Sequence, residues 1–285
     1  MRIGLVTDST SDLPHDLLEQ HAIAVIPAVL VLEGQTYADG KGISRADFYT
    51  RLPTMSSPPT TAAPSVGEFA ALYARMLDEG HEHIISIHAA GELTTIVNSA
   101  RLAAQDFPAR VTVLDSGSLS LGLGFQVLAA AEAAAQGATL PQALAAIQSA
   151  RERTVVRASL DTMEYLKRSG RVPAAVAALG GLLNIKPLVG LTDGVVKPLG
   201  AARTTMQGNQ RILDMLLACG PLEKLTILHT NAEDRTKWLL NALMQTAPQN
   251  APREIRTLMV TTVIGTHVGP RGLGFAALKR PPVIK

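Results

Sequence analysis

The chain has 285 residues, 47% of them hydrophobic and 18% charged, which is enough apolar material for one large core or two smaller ones and excludes a disordered chain. A net charge of +2 and an aromatic content of 4% offer neither a basic track for a phosphate backbone nor a stacking platform for bases, so nucleic acid is not expected as a partner. Cys219 is the only cysteine, which excludes an intramolecular disulfide and an all-cysteine metal site and fits a reducing, cytoplasmic setting.

At the N-terminus the apolar run Ile3-Gly4-Leu5-Val6 meets Asp8 at once, so it reads as a first strand and not as a signal peptide. The polar stretch Thr7–Pro14 follows, with Ser11 or Asp12 expected to cap the next helix and Pro14 in its first turn. Such a loop, with Ser9 in it, lies where open α/β sheets place ligands, although capping alone would also explain it. Ala22–Leu32 reads as two strands broken at Pro27, Asp39-Gly40 as a turn, and Ser44–Tyr49 as the opening of a short helix.

Residues 54–69 stand out. Pro58, Pro59 and Pro64 hold the backbone extended and withhold ladder donors, so this segment is neither a helix nor a central strand. Ser65 then stands three residues before Glu68, the spacing of a capping box, and Phe69, Leu72, Tyr73, Met76 and Leu77 follow at helical period. A stiff, hydroxyl-rich loop thus feeds a helix start, whose free N–H groups favour an anion. An ordinary proline-rich connector would have the same sequence.

His83–His88 reads as a strand, Ala89–Glu92 as a loop, and Leu93–Leu102 as a helix whose first turn carries Thr94 and Thr95, a second candidate anion seat. His81, His83 and His88 have no carboxylate or cysteine at a matching spacing, so no metal site is expected there. Val111–Leu114 is a strand ending in Asp115-Ser116, and helices are expected over 125–136 and 139–152. The region 116–131 is too short and too polar to span a bilayer, and no stable membrane insertion is expected. Strands alternating with helices at this spacing predict an α/β fold with a largely parallel sheet over 1–155.

From about 156 the texture changes. A strand near 153–160 leads to a helix over Asp161–Lys167, a turn at Ser169–Pro173, a small-residue helix to Gly180-Gly181, and a strand over 182–189 that turns back at Thr192-Asp193-Gly194. A helix over 206–218 follows, and then strands at Leu225–His229 and Arg256–Val263 flank a helix over 232–246, before the loop Ile264–Gly274. Hairpins mixed with helices predict a smaller α+β domain at 156–285.

Taken together these segments resemble the DegV family of bacterial fatty-acid-binding proteins, nearly end to end. The resemblance rests on Val6-Thr7-Asp8-Ser9-Thr10-Ser11-Asp12-Leu13-Pro14, on Thr61-Ala62-Ala63-Pro64-Ser65-Val66-Gly67-Glu68-Phe69, and on Asp115-Ser116. It rests further on Asp161–Val172, Leu183-Asn184-Ile185-Lys186-Pro187, Arg203-Thr204 and His267-Val268-Gly269-Pro270. It implies a two-domain protein holding one long-chain fatty acid between its domains, tail in an apolar tunnel and carboxylate near the seam, with no cofactor besides that ligand. It also implies a partner, a separate fatty acid kinase that phosphorylates the presented acid.

By the same resemblance the carboxylate is met by Thr61, at the first position of the family's Thr-Ser-Gln-Pro-Ser motif, and by Thr94, at the Ser of Leu-Ser-Gly-Thr. His267 and Arg203 fall on the family's carboxyl-end His and Arg, with Ser9 and Thr95 as further head-group or partner-facing residues. The chain departs from the pattern at Ala62 and Ala63, which remove a hydroxyl and an amide, and at Thr95, which stands where Gly is usual. Lys186 and Arg171 read as structural or partner-facing residues. Two other classes compete with a non-catalytic carrier. One is a hydrolase or phosphoryl-transfer enzyme using Ser9 or Ser116 with His267, for which neither a Gly-x-Ser-x-Gly elbow nor a phosphate-binding Gly-Lys loop is present. The other is a regulator that senses acyl chains.

Overall fold

The apolar run after Met1 forms β1 (Ile3–Asp8), and the computed structural model describes residues 1–172, 177 and 184–281. In chain order there follow α1 (His15–Gln20), β2 (Ile23–Ile26), β3 (Val29–Leu32), β4 (Gln35–Ala38) and α2 (Arg45–Arg51). Then come β5 (Thr60–Ala62), α3 (Val66–Asp78), β6 (His83–His88), α4 (Ile96–Ala104), β7 (Val111–Asp115), α5 (Leu121–Ala135) and α6 (Leu140–Arg153). The remainder comprises β8 (Thr154–Ser159), α7 (Glu164–Ser169), β9 (Lys186–Thr192), β10 (Val195–Ala202), α8 (Thr205–Leu217) and β11 (Leu222–His229). It closes with α9 (Glu233–Thr246), β12 (Ile255–Met259), α10 (Thr262–Val268) and β13 (Leu273–Lys279).

Two units result: Met1–Gly42 with Pro59–Glu152, and Ile43–Pro58 with Arg153–Lys285. Reading the chain end to end places a single boundary at 155/156. The structure instead assigns the excursion 43–58, with α2, to the second unit, so the C-terminal unit expected to be the smaller is slightly the larger. Polar bonds tie the excursion there beside its buried Phe48 and Tyr49: Arg45 donates to the Met259 carbonyl, and the Tyr49 hydroxyl lies 3.2 Å from the carbonyls of Val260 and Thr261.

In the first unit β1 sits inside a four-stranded sheet of order β2-β1-β6-β7, parallel throughout as expected. Parallel strands need both faces covered, and their sequences are correspondingly apolar. Gly4 faces Met76 and His81 beside α3, whereas the helix α5 is buried without a break from Leu121 to Leu128. A small antiparallel sheet of order β4-β3-β5 completes the unit; its edge strand β5 is the three-residue extension Thr60–Ala62 of the proline-rich stretch. The expected capping box is formed: Ser65 Oγ accepts from the Glu68 amide at 3.2 Å, and Glu68 Oε2 accepts from the Ser65 amide at 2.8 Å.

One cap differs from the reading. Neither Ser11 nor Asp12 caps α1, whose N-cap is Pro14 with no side-chain bond. Ser9–Ser11 forms a 3-10 turn capped by Asp8, and Asp12 takes the left-handed conformation (φ 56°), its carboxylate accepting from Ser120 Oγ at 2.6 Å.

The second unit is built on a six-stranded sheet of order β10-β9-β8-β13-β11-β12, antiparallel except for the β11–β12 pair. Its core joins Leu188, Ile212, Leu216, Ile227, Leu239 and Phe275. The β9–β10 hairpin turns at Asp193 (φ 49°) and Gly194 (φ 79°), as the sequence predicts. The expected strand Arg256–Val263 ends at Met259, because Thr261 caps the start of α10. The expected helix up to Gly180-Gly181 lies outside the described residues.

The interior strand β13, like β4 and α10, is absent from the sequence reading. Gly272, Gly274, Ala276 and Ala277 carry no strand signal, yet small residues are required: a Cβ on Gly274 would stand 2.6 Å from the Arg157 carbonyl oxygen of the adjacent β8. Replacing Gly274 with Ala should therefore destabilise the protein by about 1–3 kcal/mol, seen as a lower urea midpoint with an unchanged slope.

Candidate functional site

The carboxyl end of β1 organises the first unit's loops. Asp8 is fully buried, and both its oxygens are occupied. Oδ1 accepts from the Thr10 amide at 3.0 Å and from the Thr10 hydroxyl; Oδ2 accepts from His88 Nδ1 at 3.0 Å and from the Ala89 amide at 3.1 Å. Burial pushes the Asp8 carboxyl upward, but the bond to His88, its charge, and the Thr10 and Ala89 donors outweigh this and hold it below the usual carboxylate range. His88 Nε2 in turn meets Ser86 Oγ at 2.7 Å, and Ser86 Oγ meets the Tyr73 hydroxyl at 2.8 Å. Burial raises the Tyr73 phenol to about 12, with the Ser86 bond opposing. The edge-on ring of Phe69, centroid 5.1 Å away, closes the other side of His88.

Ser86, His88 and Asp8 have the hydrogen-bond order of a hydrolase triad. All three are 0% exposed, and the Ser86 hydroxyl is shared with Tyr73. A nucleophile must reach its substrate, so the line is structural: it ties β1, β6 and α3 together.

Two segments carrying the hydroxyls singled out in the sequence hang on this pivot. Through the Ala89 amide, Asp8 fixes the start of the loop that carries Thr94, whose amide donates to the Ala90 carbonyl at 3.2 Å. Beside it, Ser9 Oγ accepts from the Ala28 amide at 3.0 Å, which fixes the start of β3, and β3 pairs Leu30 with Thr61. Thr61 and Thr94 are both half-buried, and Thr95 is exposed. Thr94 Oγ1 also accepts from the Ile96 amide at 3.4 Å, so it closes the first turn before α4, whereas Thr95, at the N-cap position, makes no side-chain cap bond. The tight backbone approach in this loop falls at Gly91, where a Cβ would stand 2.9 Å from Asp115 Oδ2. Asp115 accepts from the Gly91 amide at 3.0 Å and from the Gly117 amide at 2.8 Å, and Ser116 Oγ donates to the Ser118 carbonyl.

In the second unit His267 lies in the last turn of α10, a helix where the sequence suggests a loop. Its ring nitrogens stand 3.1 Å from Arg171 Nη1, which donates to it. Burial, and then the Arg171 charge, lower the imidazole to about 4, so His267 is neutral at pH 7. Burial likewise lowers Arg171. Arg203 is exposed just before α8, where Thr204 and Gln207 form a capping box and the Arg203 amide donates to Gln207 Oε1 at 3.0 Å. Lys186 is bound to Asp161 at 2.7 Å, which makes it an anchor of β9.

Among the described residues no helix is long and apolar enough to cross a membrane, and no group of three or more His, Cys, Asp or Glu stands close enough to hold a metal ion. A parallel-sheet unit followed by a six-stranded mixed-sheet unit is a fold shared with proteins of known structure that are described as fatty-acid-binding. The chain belongs to the DegV family: the family model, described as an uncharacterised protein of that family, matches residues 2–280. A DegV domain-containing protein of Streptomyces coelicolor is 34% identical, covering 98% of this chain and 99% of its own. A Thermus thermophilus DegV family protein whose structure is described as binding fatty acid is 37% identical, with a TM-score of 0.91 over 98% of this chain and 100% of that one. DegV of Bacillus subtilis, described as a fatty acid binding protein, superposes with a TM-score of 0.85 at 28% identity, over 98% of this chain and 100% of that one.

Two measurements check the electrostatics. Asp8→Asn leaves buried donors facing an amide and should cost about 2–4 kcal/mol in denaturant unfolding. For His267 the folded value lies below the unfolded one of about 6.5. The unfolded chain therefore takes up a proton that the folded chain refuses, and stability falls as pH drops from about 6.5 to 4. His267→Gln, which keeps a partner for Arg171, should flatten that part of the stability–pH curve.

Proposed function

We propose that the protein binds one long-chain fatty acid in an apolar tunnel and presents its head group to a separate fatty acid kinase in the cytoplasm, with no turnover of its own. The observation that carries this is the whole-length match to the Thermus thermophilus fatty-acid-binding structure at 37% identity. Burying about fourteen methylenes at ~0.8 kcal/mol each gives on the order of 11 kcal/mol, part of it lost to immobilising the chain. Tight retention thus needs little from the head group, which has only to avoid being buried unpaired.

In this reading the Thr61 and Thr94 hydroxyls donate to the carboxylate, and the Asp8–Ser9 pivot supports both segments. Ser9 already accepts from Ala28, which leaves its proton for a head group or partner; Thr95, exposed, is a partner-facing residue. His267 and Arg203 are proposed head-group residues on their family correspondence: His267 as a neutral hydrogen-bonding group, Arg203 as a charge that matters after phosphorylation, when the head is more negative. Ala62 and Ala63 leave fewer polar groups around the carboxylate than the family pattern supplies.

Denaturing natively purified protein, extracting it with organic solvent and analysing the extract by mass spectrometry should yield about one fatty acid per chain, as a saturable site requires. An empty extract, with no uptake of added palmitate or oleate, overturns the reading. Thr61→Val and Thr94→Val should each weaken binding about tenfold, the loss of one hydrogen bond to a charged group. Arg203→Ala should impair acyl-phosphate formation with a fatty acid kinase far more than it impairs fatty-acid retention; equal losses would remove Arg203 from that role.

A further inference from the structure

We infer that Tyr49 and Tyr165 are positioning residues for His267, setting the helix that carries it by closing on two glycines. The role given to His267 rests on the proposed function; the geometry does not. α10 carries Gly265 in its middle and ends at Gly269. A Cβ on Gly265 would stand 2.6 Å from Cε1 and Cζ of Tyr49, and one on Gly269 would stand 2.7 Å from Cε2 of Tyr165. Both approaches are closer than a Cβ tolerates, so each aromatic ring sits directly on bare backbone. Gly269 has φ 79° and ψ 177°, a conformation open in practice only to glycine.

Neither ring is free to retreat. Tyr49 is 1% exposed, and its hydroxyl bonds the carbonyls of Val260 and Thr261, the two residues that lead into α10. One turn earlier on α2, Arg45 bonds the Met259 carbonyl. Tyr165 is 8% exposed, with the Arg168 guanidinium 6.0 Å from its ring centroid. Tyr165 belongs to α7, and two residues past the end of that helix, after the left-handed turn at Gly170, comes Arg171, which donates to the His267 ring. α2 therefore seats the middle of α10, while α7 seats its end and orients the imidazole. Packed interiors do not deform continuously and the Tyr49 hydroxyl is bonded to the entry of α10, so a methyl at Gly265 shifts α10 against the ring, and a shift of α10 carries His267 away from Arg171.

The test measures fatty-acid affinity, with palmitate or oleate as probe, and the imidazole 15N chemical shifts of His267, which report its tautomer and hydrogen bonding. It compares Gly265→Ala, Tyr49→Phe, His267→Gln and the Gly265→Ala/His267→Gln pair. Gly265→Ala should weaken binding about fivefold and move the His267 15N shifts, but cause no further loss in the His267→Gln background. Tyr49→Phe, which keeps the ring and removes the hydroxyl with its carbonyl bonds, should move the same shifts less and in the same direction, and it carries the test if Gly265→Ala does not fold. Equal affinity losses with and without His267, or 15N shifts unchanged in both variants, would overturn the inference. If the unsubstituted protein takes up no fatty acid, the proposed function fails, while the 15N shifts still decide whether Tyr49 positions His267, and Tyr165→Leu, read by the same shifts, decides it for Tyr165.

Discussion

A carboxylate without water must find donors for both its oxygens, and in this protein that requirement falls on Asp8. Its donors come from its own 3-10 turn, through Thr10, and from the end of the neighbouring strand, through His88 and Ala89. Satisfying one buried charge thus ties the loop after β1 to the loop after β6, the two places where a parallel sheet presents its strand ends to a ligand. Ser9 extends the arrangement to the small antiparallel sheet through Ala28. The segments that carry Thr61 and Thr94 are therefore held at their starts by polar constraints on backbone.

The second unit meets the same problem with a cation. Arg235 is 2% exposed, and Nε donates to Asn209 at 2.7 Å while its Nη groups reach the Arg271 carbonyl and, at 3.4 Å, Ser159 Oγ. Burial lowers the guanidinium to about 10, against the attraction of Asp161 and Asp234, a value at which it is still charged at neutral pH. A planar fork of donors can bridge α8, β8 and the entry to β13 at once, which a lysine ammonium cannot do with comparable geometry. Gly208 belongs to the same knot: a Cβ there would run into the Ser159 side chain. Each unit thus uses one buried ionised group to fix the meeting of several elements.

What the sequence discloses follows the range of the interactions involved. Local chemistry is legible: the Ser65–Glu68 box, the Asp193-Gly194 turn and the alternation of the first unit are written within a few neighbouring residues. Thr61, His267 and Arg203 become candidates through the family motif, since each taken alone reads as a turn hydroxyl, a backbone-satisfying group or a surface charge, whereas Thr94 is marked beforehand by its place at a helix start. The supports of the site are the least legible. Asp8 and His88 lie 80 residues apart, and His88 reads as one histidine among three in a metal-like pattern. β13 hides because its interior place demands glycine and alanine, which periodicity scores as loop. Tyr49 and Val260 meet across 211 residues, and no spacing rule reaches that far.

The excursion of residues 43–58 also governs the order in which the molecule comes into being. The first unit has all its chain once Glu152 is made, but α2 belongs to the other unit. Phe48 and Tyr49, 0% and 1% exposed in the folded protein, wait for backbone synthesised 211 residues after Tyr49. At roughly 5–20 residues per second, that interval on the ribosome lasts on the order of 10–40 s. Throughout it a short helix with two unsheltered aromatic rings stays tethered at both ends to a unit that is free to fold. The short tether keeps α2 close to the growing chain until β12 and α10 emerge, and it makes this segment the exposed, sticky part of the nascent protein. No single cut in the gene separates the units: a fragment ending at Glu152 holds the first unit whole but carries α2 with it, and a fragment starting at Arg153 lacks α2.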